Sequence, residues 1–246
     1  MLIPEVSIII PSFNSAIYID SAIKSALAQT VIKEIIIIDD KSTDDLTIKL
    51  KKYENIENVI KYVKNDYNLG VAESRNKGVN IARGKYIAYL DADDWWREDK
   101  LIKQLEYMKL RNADICYTAR ELFLDNGSST GKVVGVREEV NYQQLLYHNC
   151  IACSSVLLKR EVALKYPMQF SEIHEDYLTW LRILKDGTKA YGIDEPLLCY
   201  RLSEKGKSRN KIKSTYMTFG VHKSMGNSDG KALFYTASHL LHNIFR

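Results

Sequence analysis

The chain has 246 residues, 46% hydrophobic and 27% charged, enough apolar material for one large α/β domain, which excludes a disordered polypeptide. A formal net charge of +4 favours a phosphorylated ligand or an anionic membrane face and falls far short of a nucleic-acid footprint. Cys116, Cys150, Cys153 and Cys199 lie in apolar segments and read as reduced, buried thiols, since no second pair or His cluster completes a zinc site.

Val6 to Ile10 is short, β-branched and almost wholly apolar, the pattern of a strand buried on both faces of a parallel sheet, and Pro11 is expected to end it. After the turn residues Ser12-Phe13-Asn14-Ser15, the positions Ile19, Ile23, Ala26 and Leu27 recur at helical spacing through Gln29. Glu34 to Ile38 repeats the strand pattern and ends in Asp39-Asp40-Lys41-Ser42-Thr43-Asp44, followed by a polar helix to Lys52. Ligands of an open parallel sheet lie beyond the carboxyl ends of its strands, so both loops are expected at one site. A third strand, Val59 to Lys64, leads to a helix over Val71 to Arg83, where Val71, Gly78, Val79 and Ala82 share a stripe. Arg75 lies four residues from both valines and points with them; it either meets a buried anion or snorkels past the helix end.

Gly84 stops that helix, and the strand Tyr86 to Leu90 runs into Asp91-Ala92-Asp93-Asp94. Asp91 and Asp93, two apart at a strand end, can aim at one point and would suit Mg²⁺ or Mn²⁺. The same residues would also serve an ordinary turn. No Walker loop and no Gly-x-Gly-x-x-Gly occurs at these strand-to-helix turns, so nucleotide binding would fall to the acidic loops, Arg75 and a metal.

Beyond this point Leu101, Leu105 and Met108 mark a helix to about Leu110, Ile115 to Ala119 a strand, and Asp125 to Gly131 a turn cluster inside a hairpin. Val140 to Tyr147 reads as a helix and Ile151 to Leu158 as a strand. Glu175 and Asp176 open an amphipathic helix through Leu178, Leu181, Ile183 and Leu184; acids there complement the helix dipole, which is expected to keep Asp176 ionised. Lys205 to Lys213 places five cations at alternating positions, a solvated loop or a lid closing on phosphates through Lys207 and Arg209. The tail, Ala232 to Phe245, either packs on the domain or lies on a membrane surface. No basic-then-apolar leader and no apolar run near the ~20 residues of a membrane span occurs, so a cytoplasmic protein is expected, with peripheral contact at the inner membrane face as its membrane association. The expected organisation is one domain over 1–213, split at about 115 into nucleotide and acceptor halves, and a helical segment over 214–246.

The ordered pieces resemble the family 2 inverting glycosyltransferases, whose catalytic domain has the GT-A fold. The match rests on Val6 to Asn14, Glu34 to Asp44, Asn68 to Asn76, Leu90 to Asp94, Lys100 to Gln104 and Glu175 to Arg182, in the family's order across about residues 5 to 203. The resemblance implies an open, mostly parallel sheet flanked by helices and an enzyme that moves a hexose from a uridine diphosphate sugar to a glycan or lipid-linked acceptor in cell-surface polysaccharide or glycolipid synthesis. It implies nucleoside contacts at Pro11, Phe13, Asn14, Asp39 and Asp40, and nucleotide contacts at Arg75, Asp91 and Ala92. Asp91 and Asp93 would hold Mn²⁺ or Mg²⁺ on the diphosphate, and Asp176 would be the general base with Glu175 and Arg182 in support. Phe13 stands where Tyr is commoner, Lys41 replaces a usual Gly, and no His-x-x-Ser follows Arg201; these departures touch lid and nucleoside contacts. A sugar nucleotidyltransferase would carry a Gly-rich loop where Pro11 to Ser15 has none. A non-catalytic sugar-nucleotide module would not need both acidic pairs.

Overall fold

The computed structural model describes residues 3–56, 58–203 and 210–244. Its strands are β1 (Val6–Ser12), β2 (Lys33–Asp39), β3 (Ile60–Lys64), β4 (Tyr86–Tyr89), β5 (Trp95–Trp96), β6 (Ile115–Leu124), β7 (Ser129–Val134), β8 (Glu139–Val140), β9 (Leu157–Lys159) and β10 (Ala190–Leu202). The helices are α1 (Ile19–Ala28), α2 (Leu46–Leu50), α3 (Val71–Ile81), α4 (Lys100–Arg111), α5 (Tyr142–Tyr147), α6 (Arg160–Lys165), α7 (Glu175–Lys185), α8 (Lys211–Ser224) and α9 (Asp229–Ile244). The strands join one sheet in the order β3-β2-β1-β4-β9-β6-β10-β5, with β7 on β6 and β8 on β10. From β3 to β4 all neighbours are parallel. Beyond β4 the sheet is mixed: β9 runs antiparallel to both β4 and β6, while β6 and β10 are parallel.

Alternation along the isoleucine runs builds two cores. Ile8, Ile10, Ile35 and Ile37 face one way, onto α1 and α4, while Ile9, Ile36, Ile38 and Tyr89 face the other, among residues of α3, α5 and α7. Gly78 lets α3 lie close on β1, since a Cβ there would come within 2.5 Å of the Ile9 side chain.

Several expected bounds shift. β1 continues through Pro11 because its pairing with β4 ends at Ile9 and Tyr89, so no ladder bond needs the missing N–H. β6 runs on to Leu124 as one arm of the expected hairpin with β7. Of the expected strand 151–158 only Leu157 and Leu158 pair, in a β9 that runs on to Lys159 and is preceded by a 3-10 turn at Cys153–Ser155. The α3 helix stops at Ile81, and α8 begins at Lys211, so the 213/214 boundary falls inside a helix. No helix among the described residues is long and apolar enough to cross a membrane.

Candidate active site

Strand register delivers the loops to one edge. Ser12 pairs with Asp39, and the Leu90 amide donates to the Ile9 carbonyl at 3.0 Å, so the loops after β1, β2 and β4 leave the sheet together. The first two are laced to each other. The Asp40 amide donates to Ser12 O at 2.8 Å. Asn14, in the left-handed region at φ 51°, donates its amide to Ser42 Oγ at 3.0 Å and accepts the Thr43 amide at 2.8 Å. Beside it, beyond Pro11, Phe13 is 52% exposed and offers a surface on which a base could stack.

Asp39 is fully buried, accepting the Ser42 amide and the Tyr62 hydroxyl, each at 2.7 Å. Burial alone would raise its pKa, but Ser42, Tyr62 and Lys64 outweigh it and hold the group below the usual carboxylate value. Asp40 accepts from Asn65 Nδ2 and from the Leu69 and Gly70 amides, all at 2.8 Å. It thereby fixes the entry to α3, where Gly70 takes φ 85°. With about four lone-pair sites to a carboxylate, the three donors on Asp40 leave one site for a further donor, whereas Asp39, with no exposed surface, is taken up by Ser42, Tyr62 and Lys64.

Arg75 is 3% exposed. Its Nη2 donates to Asp91 Oδ1 at 2.6 Å and its Nη1 to Glu175 Oε1 at 2.7 Å. The anion sought by this helix arginine is therefore a pair of protein carboxylates, one after β4 and one at the start of α7. Burial disfavours its charge, but Asp91, Cys153, Glu175 and Asp176 together push its pKa up.

The loop after β4 crowds its acids. Ser154 Oγ accepts the Asp91 amide at 3.0 Å. Ala92 and Asp94 are buried; Asp94 Oδ1 accepts the Arg201 amide at 3.0 Å, and its Oδ2 has no hydrogen-bond partner. Burial and the charge of Asp91 push Asp93 up to about 6, and burial with Asp93 and Asp91 raises Asp94. Among the described residues no three or more His, Cys, Asp or Glu side chains are arranged to hold a metal ion. The donor set nevertheless fits Mg²⁺ or Mn²⁺: hard oxygens, mutual repulsion that a cation would relieve, and an orphan carboxylate oxygen. Such ions keep several waters and need only one or two protein carboxylates.

Asp176, half-buried, follows Glu175 and accepts the Tyr177 amide at 2.7 Å. Burial first, and the neighbouring Glu175 second, raise its pKa against the pull of His174, Arg75 and the Tyr177 amide. Arg182, on the last turn of α7, donates to Pro167 O at 2.9 Å and lies over the Tyr166 ring; these are its partners, and Asp176 is not among them. Lys207 and Arg209 lie outside the described residues.

Two contributors emerge only in three dimensions. Arg201, at the end of β10, donates its Nε to Asp93 O at 2.8 Å, its amide to Asp94, and stacks over Tyr18 and Trp95. A cation closing the apolar run Leu197 to Tyr200 was its sequence signal. Lys100 and Gln104 act below the site. Lys100 Nζ lies 4.1 Å over Trp96 and donates to Gln104 Oε1 at 2.7 Å, while Gln104 Nε2 donates to Ser155 O at 2.9 Å. This pair pins the turn whose Ser154 holds Asp91.

The model of the family "Glycosyl transferase family 2" matches residues 7–164. TuaG of Bacillus subtilis, a glycosyltransferase assigned to teichuronic acid biosynthesis, is 38% identical over 223 residues, 90% of this chain and 88% of its own length. The UDP-Glc:α-D-GlcNAc-diphosphoundecaprenol β-1,3-glucosyltransferase WfgD of Escherichia coli is 37% identical over 85% of this chain and 81% of its own. TarS 1-349 of S. aureus, in complex with UDP-GlcNAc, superposes with TM-score 0.74 at 17% identity, covering 96% of this chain and 71% of TarS 1-349. The mannosyltransferase PcManGT of Pyrobaculum calidifontis, in complex with GDP-Man and Mn²⁺, gives 0.73 at 15%, covering 97% and 70%. Both share the GT-A fold with this chain. Fold, family model and relatives converge: the chain is a glycosyltransferase and belongs to family 2.

Proposed function

We propose that this enzyme transfers a hexose from a uridine diphosphate donor, with a divalent cation and with inversion, to a hydroxyl of a lipid-linked glycan in cell-surface polysaccharide synthesis at the inner membrane face. The observation that carries the reading is Arg75, buried between Asp91 and Glu175 at 2.6 and 2.7 Å, which ties the acidic strand end to the helix whose first turn carries Asp176. WfgD supports a uridine donor and a lipid-linked acceptor by its name, and TarS supports the donor by its bound UDP-GlcNAc. PcManGT holds GDP-Man, which makes guanosine the competing nucleotide.

Asp91 and Asp93 would hold the cation, whose chemistry is to neutralise charge building on the departing diphosphate. Phe13, Asn14, Asp39 and Asp40 form the nucleoside wall, with Pro11 setting its backbone. Arg75 pairs with both Asp91 and Glu175 and fixes them relative to each other. Asp176 takes the acceptor hydroxyl proton on Oδ2, because Oδ1 is engaged by the Tyr177 amide. A raised pKa makes it a stronger base once ionised. One base and one displacement invert the anomeric carbon, unlike the two-carboxylate machinery of glycoside hydrolysis.

Calorimetric titration of UDP and GDP with Mn²⁺ or Mg²⁺, on the wild type and Asp93→Asn, tests the reading. UDP should bind more tightly than GDP, and Asp93→Asn should abolish the metal enhancement and most turnover. Tighter GDP binding would refute the donor assignment, and full turnover in chelator would refute the metal.

A further inference from the structure

Helix α9 is turned the wrong way round for a helix facing water. At about 100° per residue, Leu233, Phe234, Ala237, Leu240 and Leu241 fall within an arc of about 120°. That arc faces out: Leu233 and Phe234 are each 60% exposed and Leu241 54%. The opposite side packs on the protein with Ala232 and Thr236 buried, and Tyr235 and His239 in ring contact with His222 and Tyr177. A surface helix ordinarily shows water its polar face, so this stripe calls for a cover.

Charge selects the cover. Residues 205–246 hold eight Lys and Arg against one Asp, whereas residues 1–204 hold 27 against 30 acids. All of the chain's positive excess therefore lies in the segment that carries the stripe. On α8, which packs on α9, Ile212 and Tyr216 are each 72% exposed beside the exposed Lys211 and Lys213. A second copy seated on this face would set one strongly positive segment against another. An anionic bilayer offers both an apolar interior and a negative surface.

We propose that α9, flanked by the lysines of α8, lies in the headgroup boundary of an anionic membrane and seats the enzyme there. This deepens the lipid-linked acceptor reading and rests on it only for its purpose. Since α8 also packs on α7, the membrane would lie close to the helix whose first turn carries Asp176.

The test is flotation of the full chain with vesicles of phosphatidylglycerol and phosphatidylcholine in equal parts, and with phosphatidylcholine alone. The wild type should float with the mixed vesicles and about tenfold less with the neutral ones. Phe234→Glu with Leu241→Glu should abolish flotation without lowering the thermal midpoint, and Lys211→Glu with Lys213→Glu should weaken it severalfold. Equal flotation of the wild type and the Phe234→Glu, Leu241→Glu variant would overturn the proposal. So would a wild-type dimer that this variant dissociates and that ignores vesicles. Flotation without transfer to any lipid-linked acceptor would support the docking while refuting the acceptor reading; transfer without flotation would refute the docking alone.

Discussion

From β3 to β4 every strand is parallel to its neighbours and hands its loop to the site at a carboxyl end, whereas from β9 onward neighbours run both ways and the site receives a helix N-terminus and one arginine. The first arrangement follows from a local rule, that strands buried on both faces end where ligands bind. The second depends on contacts between residues far apart in the chain. The difference teaches where each half is vulnerable. The parallel half is vulnerable at the acids that strand register places in its loops, while the mixed half depends on a few buried charges that reach across to the other.

Arg75 is the sharpest way to break that connection. Arg75→Met leaves Asp91 and Glu175 facing a buried apolar side chain, and losing one partner of a buried ionic network costs about 3–5 kcal/mol. Transfer should fall to background and urea unfolding should shift by that amount. A variant within about 1 kcal/mol of wild type would show that the two halves do not depend on each other.

The parallel half was legible because its signals are local. Ile8 to Ile10, Ile35 to Ile38 and the acids after β2 and β4 mark strands and strand ends without knowledge of the fold. The stripe on α3 placed Arg75 on the buried face, but only the fold supplies its partners Asp91 and Glu175. β10 was missed as a strand because Asp194, Glu195 and Pro196 interrupt its alternation, and the register shifts there against β6. With it went Arg201, whose partners Asp93, Asp94 and Asp125 lie 76 to 108 residues away. Lys100 opens the stretch Lys100 to Gln104 that carries part of the resemblance, but its full burial is set by the fold and has no local signal.

A second test concerns that lysine, which supports the acidic loop from below. Burial lowers its pKa from 10.5 to about 7. Between those values the unfolded chain binds a proton that the folded chain lacks, so this group makes stability rise with pH across that window, and its burial penalty is fully present below it. Lys100→Met should flatten the rise between pH 7 and 9, read as the difference in urea midpoints. An unchanged slope would mean that Lys100 titrates normally.

The smallest effect is expected at Arg182. Its partners are Pro167 O and the Tyr166 ring, so Arg182→Ala should cost about 0.5–1.5 kcal/mol of stability and leave transfer within about twofold of wild type. A large loss of transfer at unchanged stability would bring this arginine into the catalytic machinery after all.

The base assignment is most directly tested by single-turnover transfer, with donor and acceptor saturating, on Asp176→Asn and Glu175→Gln side by side. Asp176→Asn should slow the step by about 10² to 10⁴-fold with donor affinity nearly unchanged, and Glu175→Gln, which removes charge from the Arg75 pair, should be milder. A fully active Asp176→Asn beside an inactive Glu175→Gln would contradict the account and move the base by one residue.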